Sequence, residues 1–275
     1  MPLSRNAVNR NKRSPGADYA GSHQRSWLWG RHAVLEALTA ARWPVLELWA
    51  ASELPPPDQQ RVAELAARQG LRLQVVPSAR LQQLCHQPDH QGLLARMGQF
   101  PYADQAALLT AARKVTASGS PGLFVLCDRL QDPHNFGAVL RCCDAVAADG
   151  IIVGLTGQTP VTSHVARASS GAVNHLQLFQ ITSLADGLQS LRQQGFRAVA
   201  ATEKAEGSLW QTDLTGPVVL IIGSEATGIS PQLLQHCDLQ VGIPMLGKVG
   251  SLNAAVAAGI LLYECRRRNQ KGASE

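Results

Sequence analysis

Val218-Val-Leu-Ile-Ile-Gly223-Ser-Glu225-Ala-Thr-Gly228-Ile-Ser230 decides the fold. Five aliphatic residues end in a glycine, and a short polar loop leads to Pro231 and a second apolar stretch. A short, unbroken apolar run is what a strand needs when both faces of its sheet are covered, as in parallel α/β sheets. The same pattern recurs at 122–128 (GLFVLCD), 151–154 (IIVG), 196–202 (FRAVAAT) and 239–244 (LQVGIP). Helical segments fall between these runs, at 136–148, 183–194, 231–236 and 252–268. The alternation predicts an α/β unit over 121–270 built on a mostly parallel, open sheet.

A second, smaller α/β unit is predicted over 27–98. Its elements are a helix from Arg31, a strand at 45–51 and a break at Leu54-Pro-Pro-Pro57. A helix capped by Asp58 then runs to Gln69, where Gly70 ends it. A strand at 71–76, a short helix capped by Ser78 and a strand at 92–97 complete the unit. Residues 99–120, with Pro101, a short Ala-rich helical stretch and Thr-Ala-Ser-Gly-Ser-Pro-Gly, predict a linker.

Charge and composition narrow the function classes. The chain has 275 residues and a net charge of +5, but residues 1–26 alone hold five basic residues against Asp18. This stretch has no apolar period and is expected to be disordered, serving either as an electrostatic arm for nucleic acid or as a solubilising extension. It lacks the apolar core of a secretory signal and the amphipathic period of a transit peptide. No run approaches the roughly 18 to 20 apolar residues of a membrane helix. The six cysteines form no C-x-x-C pair and no zinc spacing, and the histidines are scattered, so no metal site is expected. That usage fits a reducing, cytoplasmic compartment.

In open α/β sheets, ligands bind beyond the carboxyl ends of the strands. Three loops there carry polar residues and glycines: 128–145, 223–230 and 243–259. Gly223 and Gly228 have the spacing of a phosphate-binding loop, but Ile229 stands where its lysine belongs, which argues against a nucleotide triphosphatase. The loop can still cradle a nucleotide-like ligand, or be only a glycine-rich turn. Asn135 and Arg141 lie on a helix that is otherwise apolar, where Arg141 either grips a phosphate or pairs with Asp128 or Asp144. Ser251 and Asn253 open the last helix, with Ser251 a possible N-cap.

Together these loops resemble the SPOUT class of RNA methyltransferases, specifically the TrmH family of ribose 2'-O-methyltransferases. The matching segments are N-F-G-x-x-x-R at 135–141, G-S-E-x-x-G at 223–228 and I-P-M-x-G-x-x-x-S-L-N at 243–253, in the family's order. Gly30-Arg-His-Ala-Val-Leu-Glu-Ala-Leu38 with His90-Gln-Gly-Leu-Leu-Ala-Arg96 is similar to the RNA-binding domain of the RlmB branch, which has a ribosomal-protein-like fold. That branch methylates a guanosine ribose in the P loop of 23S rRNA. Ala168-Ser-Ser-Gly-Ala-Val-Asn-His-Leu176 is similar to a further family segment near the active site. Lys248 and Gly250 depart from the branch, which favours small or serine residues there, and Asn253 is followed by Ala254-Ala255 rather than Val-Ser.

The resemblance implies a deep trefoil knot in the carboxy-terminal domain, bound S-adenosylmethionine and a homodimer. It implies cofactor contacts at Thr202, Gly223, Ile243, Met245, Leu252 and Asn253. The catalytic set it implies is Arg141, Asn135, Glu225, Ser251 and Asn253. The expected partner is RNA, 23S rRNA first, with no metal or membrane. Alternatives are a tRNA ribose methyltransferase of the same fold and an inactive, RNA-binding ribosome assembly factor on this scaffold. Trp27, Trp29 and Trp43 are expected either to stack on bases or to pack in a core.

Overall fold

The structure, a computed structural model, describes residues 27–271; the basic stretch 1–26 lies outside the described residues. Two sheets organise the chain. The first has four strands in the order β1 (Trp27–Trp29), β4 (Leu93–Met97), β2 (Val45–Ala51), β3 (Leu73–Val76). β4 runs antiparallel to both β1 and β2, while β2 and β3 are parallel. Side chains alternate between its faces, as the pleat requires. Leu28, Leu48, Ala50, Leu93 and Ala95 join the core beneath α1 (Arg31–Ala40) and α2 (Pro56–Arg68). Trp27, Trp29, Ala51 and Leu94 meet Leu81 and Cys85 of α3 (Ser78–Cys85) on the other.

The second sheet is six-stranded and wholly parallel, in the order β10 (Leu239–Val241), β8 (Arg197–Ala201), β9 (Val218–Gly223), β5 (Leu123–Asp128), β6 (Gly150–Gly154), β7 (Leu178–Ile181). One face, with Val125, Cys127, Leu220 and Ile222, is covered by α5 (Pro133–Ala145), α6 (Ser163–Ala168) and α9 (Ala254–Lys271). The other, with Phe124, Leu126, Val219 and Ile221, packs on α4 (Gln105–Ala117), α7 (Leu184–Gln193) and α8 (Pro231–Leu234). Every residue of β5 is buried, which explains its unbroken apolar run.

Several expectations are corrected. Pro56 and Pro57 open α2 instead of breaking the chain, since proline fits the first helical turn. Asp58 therefore sits inside that turn and pairs with Arg31 at 2.7 Å. Ser78 is the first residue of α3, not its side-chain cap. The stretch 99–120 is no free connector: Asp104 caps the 13-residue α4, whose Leu108 and Ala112 are fully buried against the large sheet. Strands β1 and β7 and helix α6 are not legible in the sequence: three or four apolar residues, or one six-residue turn, leave too short a period.

The two sheets meet along a bonded seam. Ser163 Oγ donates to the Trp27 carbonyl at 2.5 Å. Arg167 bonds Asp89, which also accepts Trp29 Nε1 at 3.0 Å, and the Arg167 guanidinium lies 4.7 Å from the centre of the Trp29 ring. The guanidinium partner holds the Asp89 carboxyl below the usual carboxylate range. Glu36 of α1 meets His175 at 2.9 Å, and Arg42 donates to the Leu176 carbonyl. Trp43, Phe100 and Tyr102 stack edge to face, and Tyr102 Oη accepts the Val161 N–H at 2.7 Å. Trp27, Trp29 and Trp43 are only 6%, 2% and 4% exposed, so they pack in the core and are not base-stacking platforms.

Candidate active site

The three loops singled out above converge at the carboxyl end of the large sheet. Asp132 accepts His134 N at 2.9 Å and Pro133 fits the first turn, so α5 starts two residues before Asn135. Gly137 is required by packing. A Cβ there would lie 2.9 Å from the Ser169 nitrogen and the Val165 carbonyl and closer still to Ala168. Ala168 and Ser169 therefore pack directly against α5 at Gly137. Gly223 is required by the turn after β9, where a Cβ would come within 2.7 Å of the Gly228 carbonyl.

Asn135 joins all three loops. Its Nδ2 donates to Glu225 Oε1 at 2.6 Å, and its Oδ1 accepts Asn253 Nδ2 at 2.8 Å. Asn253 Oδ1 in turn accepts the Ala255 and Val256 N–H groups at 3.0 and 3.3 Å. Asn253, not Ser251, is thus the cap of α9, and the cap fixes which way its amide faces. Beneath this chain the buried Asp128, at the end of β5, accepts the Ser230 N–H at 2.6 Å and Arg129 Nε at 3.0 Å. Asp128 locks the 223–230 loop to β5, and the Asp128–Arg129 pair disposes of Asp128 as a partner for Arg141. Arg141 is exposed and makes no hydrogen bond or ion pair with any described residue. Burial pushes the adjacent Cys142 thiol up despite the Arg141 charge, so it stays protonated at neutral pH.

Beside the chain opens a cavity of about 550 Å³, within the usual range for small-molecule sites. All the expected cofactor residues lie on it: Thr202, Gly223, Ile243, Met245, Leu252 and Asn253. So do Glu225 and Ser251, together with Glu203 and Lys204, which sequence patterning does not single out. Asn135 and Arg141 stand outside its lining. No main-chain hydrogen bond from residues 244–252 to any described residue is found, so nine consecutive peptide groups stay available. A Cβ at Gly250 would meet nothing within 4 Å, so its main chain is open to a ligand; Gly228 is equally open on that side, but its N–H is bonded to the Ser224 carbonyl at 2.8 Å. Apolar Ile222, Ile243, Met245 and Leu252 give faces for a flat ring. Main-chain donors and acceptors, apolar faces and this volume fit an adenosine-bearing cofactor. Among the described residues no group of His, Cys, Asp and Glu could hold a metal ion, and no helix is long and apolar enough to cross a membrane.

Comparison with known proteins agrees with this geometry. Residues 122–263 match the SpoU rRNA Methylase family, and residues 27–103 match the RNA 2'-O ribose methyltransferase substrate binding family. A Bacillus subtilis protein assigned to the TrmH family of tRNA/rRNA methyltransferases, YacO, is 36% identical over 91% of this chain and 99% of its own. The SpoU methyltransferase AviRb from Streptomyces viridochromogenes, solved with its cofactor AdoMet, superposes with a TM-score of 0.72 at 27% identity over 90% of each chain. An AdoMet-bound rRNA methyltransferase from Sinorhizobium meliloti superposes with a TM-score of 0.71 at 26% identity, over 89% of this chain and 87% of that one. With both of its units matched and its three loops drawn together by Asn135, the chain belongs to the SpoU/TrmH family of RNA 2'-O-ribose methyltransferases.

Proposed function

We propose that this protein transfers a methyl group from S-adenosylmethionine to a guanosine ribose 2'-oxygen in the P loop of 23S rRNA. The observation that carries the reading is the chain Glu225–Asn135–Asn253, which ties three loops together at the rim of a cavity fit for the cofactor. The cofactor, when bound, supplies a methyl group already activated on sulfur, so the protein's task is mainly orientation. Asn135 is held by two partners and presents a fixed amide edge to the ribose. Arg141 cannot serve as a simple base, because guanidinium keeps its proton. Its role is to stabilise negative charge growing on the 2'-oxygen and to grip the adjacent phosphate, for which its exposed, uncommitted side chain is suited. Glu225 is a positioning residue for Asn135, and Ser251 shapes the cofactor loop.

The unit 27–98 selects the RNA and 121–270 performs the transfer. The seam between them argues against testing this by deleting the small unit, which would strip Ser163, Arg167 and the Leu176 carbonyl of their partners. The active form is a homodimer, supported by Val256 and Tyr263, which leave an apolar stripe exposed along α9. The knot belongs to the same reading, and what supports it is the match of residues 122–263 to the SpoU rRNA Methylase family. All six cysteines are free thiols, in keeping with the cytoplasm.

The test is methyl transfer from labelled S-adenosylmethionine to 23S rRNA and to tRNA, both from cells lacking this protein, with the labelled ribose mapped. Label at one P-loop guanosine 2'-oxygen is expected. Label on tRNA would keep the chemistry and overturn the substrate; cofactor binding without transfer to either would point to another RNA or a required assembly intermediate, and no cofactor binding would favour the inactive assembly-factor alternative.

A further inference from the structure

Among the described residues, the backbone of Arg129 stands apart. Six described residues other than glycine have a left-handed backbone. Ala41, His86, Ala147 and Ser170 follow the ends of α1, α3, α5 and α6, where that conformation closes helices, and Gln91 precedes Gly92 in a turn. Arg129 instead follows a strand directly, at φ 61°, a position that glycine would occupy without strain. A strained side chain at the edge of a site is a pointer to use.

Its surroundings hold the guanidinium in place without burying it. Asp128, 4% exposed, takes Arg129 Nε at 3.0 Å, and the Arg129 side chain remains 39% exposed. A Cβ at Gly157 would stand 3.0 Å from Arg129 Cγ, so the aliphatic stem lies across a glycine that makes room for it. Leu130, the next residue, bonds Gln158 and Thr159, which pins the 128–132 loop to the loop after β6. Asp128 is also committed to the Ser230 N–H, so the carboxylate serves as an anchor and not as a competing ligand. Nη2 also reaches Asp128 Oδ2, at 3.5 Å, so the outcome is a pre-oriented cation six residues before Asn135 whose Nη1 bonds no described residue.

We propose that Arg129 binds an RNA phosphate next to the methylated nucleotide and so sets the strand's register over Asn135. This rests on the RNA-methylating reading above. Guanidinium presents a fixed fork to phosphate, and here Asp128 has already removed much of the freedom that such a contact would otherwise cost.

The test compares the full-length protein with Arg129→Gly and Arg129→Lys, by direct binding to a 23S rRNA transcript and a tRNA transcript across a salt series. Arg129→Gly relaxes the backbone but takes the cation from the buried Asp128, so a lower melting temperature is expected, with S-adenosylmethionine affinity unchanged. RNA affinity at low salt is expected to fall about 5- to 10-fold, and the slope of log K against log salt to shrink by about one phosphate contact. Arg129→Lys is expected to keep the slope and recover part of the affinity. Equal RNA affinity and slope in wild type and Arg129→Gly would overturn the assignment while leaving the methylation reading intact. Loss of cofactor affinity instead would overturn it in favour of a cofactor contact. Failure of the wild type to bind either RNA would overturn both readings.

Discussion

The seam and the rim are both made of irregular chain, and they treat their backbone in opposite ways. Along the seam, 163–176 bonds almost continuously, to itself and to the small sheet through Trp27, Asp89, Glu36 and Arg42. Along the rim, 244–252 makes no main-chain bond to described residues and exposes Leu246, Val249 and Leu252. Buried peptide groups must be paired, whereas a segment that waits for a ligand keeps its groups for that ligand. The difference separates a bonded frame from an open rim within one fold. Asn135 stands between them, its helix braced by α6 and its amide engaged by the rim.

The contrast can be broken by substitution, and the largest effect is expected at Arg141. Arg141→Lys keeps the charge but loses the fork, and single-turnover methyl transfer is expected to fall roughly 100-fold with melting temperature and cofactor affinity unchanged. Near-normal turnover would sink the geometric role of the guanidinium. Gly137→Ala acts through the brace. The added methyl meets Ala168 and main-chain atoms of Val165 and Ser169, so a loss of about 2 kcal/mol in urea unfolding is expected despite alanine's better helix propensity. Unchanged stability would mean that α5 and α6 slide freely.

Asp89→Ala tests the seam itself. It removes the partner of both Arg167 and the Trp29 indole and is expected to cost about 1 kcal/mol of stability, with cofactor affinity untouched and RNA affinity reduced. A change in cofactor affinity would show that seam and rim are not separable. Glu264 on α9 tests neither region and serves as a control for pH. Bonds from Arg267 and then Arg268 hold its carboxyl down to about 2 against an ordinary 4.5. Because the folded value is depressed, its contribution is present above pH 4.5 and lost as pH falls toward 2. Solvent around the arginines limits it to roughly 1 kcal/mol. Acid unfolding of Glu264→Gln that retained the wild-type slope over that window would refute the pairing. The smallest effect is expected at Gly250→Ala, whose methyl meets nothing, with stability within about 0.5 kcal/mol of wild type.

Much of the large sheet was legible because buried parallel strands write themselves as aliphatic runs. β5 and β9 lie within a residue of their expected bounds. The site loops were legible through their resemblance to the family's three segments in order; alone, each could be a surface arginine, a glycine-rich turn or a helix cap. What escaped were choices between candidates that the local sequence leaves open. Nothing local says that Asn253 rather than Ser251 caps α9, that Asp128 prefers Arg129 to Arg141, or that Trp27 and Trp29 are buried by α3 and α6. Each is settled by tertiary packing, which overrides local propensity.

The most direct test of the account is amide hydrogen exchange on the full-length protein with and without saturating S-adenosylmethionine. Amides of 244–252 are expected to exchange rapidly alone and to slow on addition of the cofactor, while those of 163–176 stay protected in both states. A rim already protected without cofactor, or unchanged by it while the seam opens, would contradict the division of this molecule into a bonded frame and a waiting rim.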